Sequence, residues 1–448
     1  MRITDTRLPV GRGMQDMCNV VQRETDRFGL FLDLDRLNEY KFFYDTLRER
    51  CEAAVRKLAN VYSYEVTKNA DTIYILTRVL GVPEALITDP HTKKLSVAAG
   101  IIEKLSKQYS GTNGPIEEFL HLYKIGRKAS DLASDFTSYI SLPKHPELDR
   151  DGHRMIVAHP KWKLLSTSRM SASEPACQNI NRDHFDIVTA PAGWQIIRAD
   201  SGQIEPRIQW SYFTRDELMR DLITAYDDAY YAYYDFVTMT PEREKALRAN
   251  FALNFQKLEI TDSLKEGRQQ MKRMSLAANY GSSLPTDKGF DPTLAKLYTA
   301  RIVNHPARTG LERRIRDEVY RGRKSFEGAF GTIVTPQSNT KYEEGGGDSW
   351  TEHLIRCGLN NPIQTTASEL NCFAIFRCMD ILETKCKKSA LAYSKHDEGA
   401  VYLYEDTDMD YADEIANCWA YEVEGWIPIK SEKEVGRKAP HNDVVSIL

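Results

Sequence analysis

From Arg36 to Val61, and again from Pro115 to Phe136, apolar positions recur every three or four residues. That is the period of a helix with one buried face. In the second stretch Leu120, Leu122 and Tyr123 oppose Lys124, Arg127 and Lys128. Between the two, residues 89–94 and 110–114 are polar and punctuated by Pro90, Gly111 and Gly114, which predicts exposed turns. Pro143, His145, Pro146 and Asp151-Gly152 then interrupt the pattern and predict a domain boundary near residue 150. Beyond it, Trp194–Ala199 is a β-prone run that leads straight into Asp200. Helical spacing returns from 213 to about 330, and 342–350, with Gly345-Gly346-Gly347, reads as a loop. Ala390–Tyr393 and Ala400–Tyr404 are β-prone runs around a polar tetrapeptide, His396-Asp397-Glu398-Gly399, which is a hairpin signal. This order predicts an α+β protein with helical lobes flanking a central antiparallel sheet.

With 448 residues, 42% hydrophobic and 28% charged, the chain can bury a large core, which excludes disorder and a disulfide scaffold. No run approaches 18 apolar residues, so no membrane span is expected. Residues 1–6 lack the apolar core of a signal peptide, and the 8 cysteines form no C-x-x-C pair. Reduced thiols in a cytoplasmic protein, with no zinc site, are therefore expected. The net charge of −4 excludes no function, but a nucleic-acid binder with this balance must gather its basic residues on one face. Arg301–Lys324, with 8 basic residues against 3 acids, is either such a face or an ordinary solvated helix.

Two strand-end carboxylates, Asp200 and Asp397, are candidates for chemistry. On neighbouring strands they could share a pair of divalent cations about 3.5–4 Å apart, which clamp the attacking and leaving oxygens of a phosphoryl transfer. Taken alone, they equally fit a polar turn and the cap of a helix near Glu205. A second feature is the series Arg268, Lys272, Leu276, Tyr280, each four residues on and so about 40° further round a helix. The stripe, about 18 Å long, could set two cations over a triphosphate and a ring over a base, with Gly281 ending the helix. A third is Arg169–Asn181, rich in short hydrogen-bonding side chains suited to tracking a phosphate or sugar backbone.

Together these segments resemble the family A DNA polymerases, the group related to bacterial DNA polymerase one. Asp200–Arg207 is similar to the family's motif A, D-Y-S-Q-I-E-L-R, and Arg268–Gly281 to motif B, R-x3-K-x3-F/Y-G-x2-Y-G. His396-Asp397-Glu398 matches motif C, H-D-E. Residues 169–181 echo R-L-S-S-S-x-P-N-L-Q-N-I-P, and residues 356–364 resemble R-x3-N-x-P-x-Q. Gly29–Asp33 looks like the start of the family's thumb. Five matches in order are far more specific than any one of them.

The resemblance implies a right-hand polymerase fold: thumb over 1–150, palm over 151–212 and 346–448 with a central antiparallel sheet, and helical fingers over 213–345. It implies template-directed addition of dNTPs to a primer 3′-end. Asp200, the Ser201 backbone carbonyl and Asp397 would hold two Mg2+ ions, with Mn2+ as a substitute, and Glu398 would assist. Arg268 and Lys272 would neutralise the triphosphate, Gln203 and Leu276 would line its pocket, and Tyr280 would pack on the forming base pair. Glu205 would exclude a ribose 2′-hydroxyl, which separates the enzyme from single-subunit RNA polymerases. Arg169, Gln178, Asn179, Arg356, Asn360, Gln364 and His396 would contact the duplex, mostly in the minor groove, where acceptors are common to all base pairs. Expected partners are primer–template DNA, dNTPs and a separate exonuclease or processivity factor, with the chain itself a monomer. The thumb-like region begins within 30 residues of Met1, so no 3′–5′ exonuclease domain and no intrinsic proofreading are expected. Alternatives are an RNA polymerase-like enzyme, a two-metal nuclease, or a DNA-binding accessory that kept the fold without the chemistry.

Departures from the family pattern carry expectations too. Ser201 and Gly202 stand where Tyr and Ser are usual, Leu276 replaces an aromatic, and Lys395 precedes H-D-E in place of an apolar residue. Asp235–Thr240 is read as the D-I-H-x-x-T segment, with Val237 replacing a phosphate-binding His. Asp33-Leu34-Asp35 is read as structural, and Glu405–Asp410 as an acidic surface turn that lacks the glycine and glutamate of a calcium loop.

Overall fold

The computed structural model describes residues 2–3, 10–89, 92–165, 168–279, 284, 290–336 and 347–436. They form two compact units, one of Phe31–Ala158 with His184–Ala192, the other of Met1–Leu30, His159–Asp183 and Gly193–Leu448.

The smaller unit is built on two long helices, Leu34–Ala59 and Pro115–Ile140, packed side by side. Gly126 permits the contact, since a Cβ there would lie 3.1 Å from the Cβ of Cys51. Asp33 caps the first helix by accepting from the amides of Asp35 and Arg36, both at 2.9 Å, and Asn60 ends it in the left-handed conformation. Residues Asn69–Tyr74 and Ala99–Gln108 form short helices between the long ones, closing a core of Val55, Tyr64, Leu76, Leu105 and Phe119. The stretch expected as a domain boundary is instead a β-hairpin, Lys144–Leu148 with Arg154–Ala158, and the unit continues to Ala158.

The larger unit holds a four-stranded antiparallel sheet ordered Ala390–Lys395, Glu398–Tyr404, Trp194–Ser201, Ser431–Val435. Ile196, Ile197, Ala199, Val401 and Leu403 are buried, as expected of central strands covered on both faces. Below lies the 38-residue helix Gly347–Thr384, which takes in part of the expected 342–350 loop; residues 337–346 lie outside the described residues. Pro362 sits inside this helix without ending it. A hairpin, Phe326–Glu327 with Ile333–Val334, is pinned to it: buried Glu369 accepts from the amides of Phe330 at 3.1 Å and Thr332 at 2.8 Å. Residues 204–320 form mainly helices around Trp210, Leu222, Tyr233, Phe236, Met271, Met274 and Tyr298. No described helix is long and apolar enough to cross a membrane.

Candidate active site

Asp200 is the last residue but one of the central strand, and Glu398 is its cross-strand neighbour. The turn before Glu398 has two residues, His396 and Asp397, not the expected four, with His396 left-handed at φ 58°. The Ser201 amide donates to the Asp397 carbonyl at 3.1 Å, so the two aspartates are adjacent although 196 residues separate them. Ser201 is buried, and its hydroxyl donates to the Trp419 carbonyl at 2.9 Å. The Trp419 indole packs against Gly399, where an added Cβ would collide with the ring. Its Nε1 donates to Asn371 Oδ1 at 2.9 Å, and Asn371 Nδ2 donates to Ser394 Oγ at 3.0 Å. Tyr393 donates its hydroxyl to Glu398 Oε1 at 2.5 Å. Buried polar bonds with every partner present rigidify a site; here they lock the hairpin that carries Asp397.

The charges are unbalanced. Burial pushes the Asp397 carboxyl up to about 6, and the neighbouring Glu205 and Glu398 add to the rise against its own amide and Arg169. A half-buried acid cluster with surplus negative charge suits a hard divalent cation. The residues present therefore fit the metal ions on which family A polymerases depend. Desolvation and the cations Arg169 and Lys395 lower the His396 imidazole to about 4, so it is neutral near pH 7.

Glu205 lies in the short helix Ile204–Ile208 and forms an ion pair with Arg169, each side chain 20% exposed. Gln178 is expected at DNA, yet its amide is fully engaged within the fold. Its Nε2 donates to the carbonyls of Ser394 (3.0 Å) and Met170 (3.3 Å), and its Oε1 accepts from the Ala172 amide. Asn179 is exposed. Arg356, Asn360 and Gln364 stand at intervals of four on one face of the long helix, the first two half-buried and Gln364 buried.

Helix Asp262–Asn279 carries Arg268, Lys272 and Leu276, while Tyr280 and Gly281 lie outside the described residues. Met271 and Met274 are fully buried on the opposite side. At about 1.5–3 kcal/mol each, that burial decides which face turns outward. Lys272 is half-buried and has no carboxylate partner among the described residues; Leu276 is 42% exposed. Arg268 is held by Asp228, with Nε at 2.8 Å and Nη2 at 2.7 Å from the carboxylate, and lies over the rings of Tyr230 and Tyr231. Asp235–Thr240, read as the segment in which Val237 replaces a phosphate-binding His, turns inward: Val237 is buried in the helical core, 1% exposed, and Asp235 is buried and paired with Arg243 at 2.7 Å. Asp228 and Tyr230 flank Arg268 instead. The signal that could have found Asp228 is Asp227-Asp228 before the aromatic run of helix Ala229–Thr238, a helix-start signature.

Two further expectations concern acids. Asp33, Asp149 and His153 bring ligand atoms within 4.8 Å of one another, a grouping not seen for Asp200 and Asp397 among the described residues. Their oxygens are engaged by structural donors: the amides of Asp35, Arg36, Asp151 and His153, the Thr189 hydroxyl, and the His153 ring at 2.7 Å from Asp33. The structural reading of Asp33 agrees with this bonding. Glu405–Asp410 is not wholly a surface turn, because Asp408 is buried and accepts from the amides of Lys387 and Lys388 and from the hydroxyls of Ser389 and Thr407.

The model of DNA polymerase family A matches residues 35–440. DNA polymerase I of Aquifex aeolicus is 27% identical over 246 residues, which span 54% of this chain and 38% of that relative's length. The polymerase domain of Pol1 from M. smegmatis, solved in complex with DNA primer-template and dNTP, has the same fold. Its TM-score is 0.71 at 18% identity, covering 96% of this chain and 70% of that one. With the family model matching residues 35–440, most of its length, the chain belongs to DNA polymerase family A.

Proposed function

We propose that the chain is a template-directed DNA polymerase that adds dNTPs to a primer 3′-end by two-metal nucleotidyl transfer, with Mg2+ as the ion and Mn2+ able to replace it. The observation that supports this most directly is the Ser201–Asp397 backbone bond, which makes neighbours of two aspartates remote in sequence. We take residues 1–150, with the two long helices Leu34–Ala59 and Pro115–Ile140, as the thumb, 151–212 and 346–448 with the four-stranded sheet as the palm, and 213–345 as the fingers.

Asp200, Asp397 and the Ser201 carbonyl would hold the ions, which when bound lower the pKa of the primer hydroxyl and offset charge on the phosphates. Glu398, fixed by Tyr393, supplies negative charge beside them. Arg268 and Lys272 draw the triphosphate to the exposed face of their helix and stabilise charge as pyrophosphate leaves. Gln203, Leu276 and Tyr280 complete the nucleotide pocket, and Glu205 closes the space a 2′-hydroxyl would need. Arg169, Asn179, Arg356, Asn360, Gln364 and His396 contact the duplex, with Gln178 bracing the segment from within. A cytoplasmic setting and a separate exonuclease or processivity partner belong to the same reading.

The test is extension of a primed template with dNTPs or NTPs, with magnesium, manganese or chelator. Extension with dNTPs and metal is expected, falling by at least about 10²-fold in Asp200→Asn and Asp397→Asn. Extension with NTPs alone would favour the RNA polymerase, shortening of the primer without dNTPs a nuclease, and no reaction an inert DNA binder.

A further inference from the structure

Asp228 belongs to none of the matched motifs, yet it joins two of them. One carboxylate oxygen, Oδ1, accepts from the amides of Tyr230 at 2.9 Å and Tyr231 at 3.0 Å and caps helix Ala229–Thr238. The other, Oδ2, accepts from Gln203 Nε2 at 2.7 Å and from Arg268 Nε and Nη2 at 2.8 and 2.7 Å. Gln203 is anchored in return, its Oε1 accepting from the Ala229 amide at 2.5 Å. The acid's side chain is 14% exposed and that of Arg268 24%, so the contact is shielded from water and weakly screened by salt. Two aromatic faces, Tyr230 at 5.7 Å and Tyr231 at 5.4 Å, limit the guanidinium further. A long, flexible side chain is thus held in one orientation, and its orienter is tied to a turn three residues beyond Asp200.

We propose that Asp228 is a positioning residue that sets the direction of the Arg268 guanidinium toward a nucleoside triphosphate and couples it to the Gln203 turn. It touches neither nucleotide nor metal; it acts through Arg268. A charge-assisted contact made by an orienting carboxylate leaves the remaining guanidinium N–H groups aimed outward, available to phosphate oxygens. The proposal rests on the polymerase reading for its kinetic consequence, whereas the coupling itself does not.

Asp228→Ser separates capping from positioning, because serine still accepts from the helix amides but is too short to reach Arg268. Two measurements then decide. In urea unfolding, Asp228→Ser, Arg268→Ala and the double variant should be non-additive, as groups in one network are; additivity overturns the tie whether or not the protein extends primers. In single-nucleotide incorporation, Asp228→Ser should raise KM for the dNTP by about tenfold with kcat within about threefold, and Asp228→Asn should recover part of the loss. In an Arg268→Ala background Asp228→Ser should add nothing further. An equal loss in both backgrounds, or a fall in kcat with KM unchanged, overturns positioning. Wild-type protein that fails to incorporate any nucleotide refutes the polymerase reading and leaves the unfolding cycle to judge the coupling.

Discussion

Gly399 shows how one missing atom can hold a site together. The indole of Trp419 lies where a side chain would begin, and the same indole is bonded through Asn371 to the strand that leads into the His396–Asp397 turn. Gly399→Ala must move the ring or the strand, and overpacking of this kind costs about 1–3 kcal/mol. A urea midpoint unchanged from wild type would show that the ring yields without strain. Leu276 is the opposite case. Its side chain is 42% exposed, so Leu276→Phe should leave the unfolding midpoint within about 0.5 kcal/mol of wild type. A change in the ratio of dideoxy- to deoxynucleotide incorporation can then be read as an effect on the sugar pocket; identical ratios would dismiss it. At this scale the sequence drew attention to acids in motifs and passed over acids outside them. Asp200 stands near the end of an apolar run and Asp397 in the polar turn between two such runs. Asp228, Glu369 and Asp408 act through partners 20 to 40 residues away or more, and no local pattern announces such partners.

Helix Pro306–Tyr320 begins on His305, whose Nδ1 accepts from the Ala307 amide at 3.2 Å. Burial lowers its pKa below 6.5; Asp216 and Glu244 oppose the shift, and Arg248 and Arg301 assist it. The sign follows from which state takes up the proton first. As pH falls through the ordinary value of about 6.5, the unfolded chain protonates while the folded chain resists, so stability is lost downward. The drop in urea midpoint between pH 7.5 and 5.5 should therefore be smaller in His305→Asn, which can keep a cap without titrating. Equal drops would mean that the imidazole does not matter. The first long helix was readable from its periodicity, expected over Arg36–Val61 and found at Leu34–Ala59. Elements were misread where tertiary contacts override local signals. Helix Gly347–Thr384 takes in part of the stretch expected as a loop and runs on through Pro362, where residues 361–370 are all buried, and Asp235–Thr240 was matched to a motif by letter spacing although Asp235 and Val237 are buried.

Across the whole molecule the net charge is −4, so any DNA grip must come from local concentration of positive charge. The basic stretch Arg301–Lys324 offers less than its sequence suggests. Arg301 is paired with Glu244, Arg316 with Glu312 and Glu352, Arg323 with Glu318, and Arg308 is buried. Arg313, Arg314, Arg321 and Lys324 remain exposed. If this face meets template phosphates, Arg313→Ala with Arg314→Ala should lower the slope of log K against log salt by about 1.4–1.8, since each phosphate contact accounts for about 0.7–0.9. An unchanged slope would make it a solvated helix after all. The α+β class, with helical stretches and an antiparallel sheet bearing acids at strand ends, was legible from run order; the pairing that brings Asp200 beside Asp397 was legible only through the family resemblance.

The central strand has hydrogen-bonded neighbours on both sides, and its register is set residue by residue from Trp194 against Tyr404 to Asp200 against Glu398. The placement of Asp200 is thus a matter of parity. Inserting or deleting one residue between Trp194 and Asp200, while the anchored end stays put, would turn the carboxylate through the sheet to its far side. Side chains of this strand can be exchanged within the limits of packing, but an odd change in its length would carry the Asp200 carboxylate to the other face without altering a single motif letter.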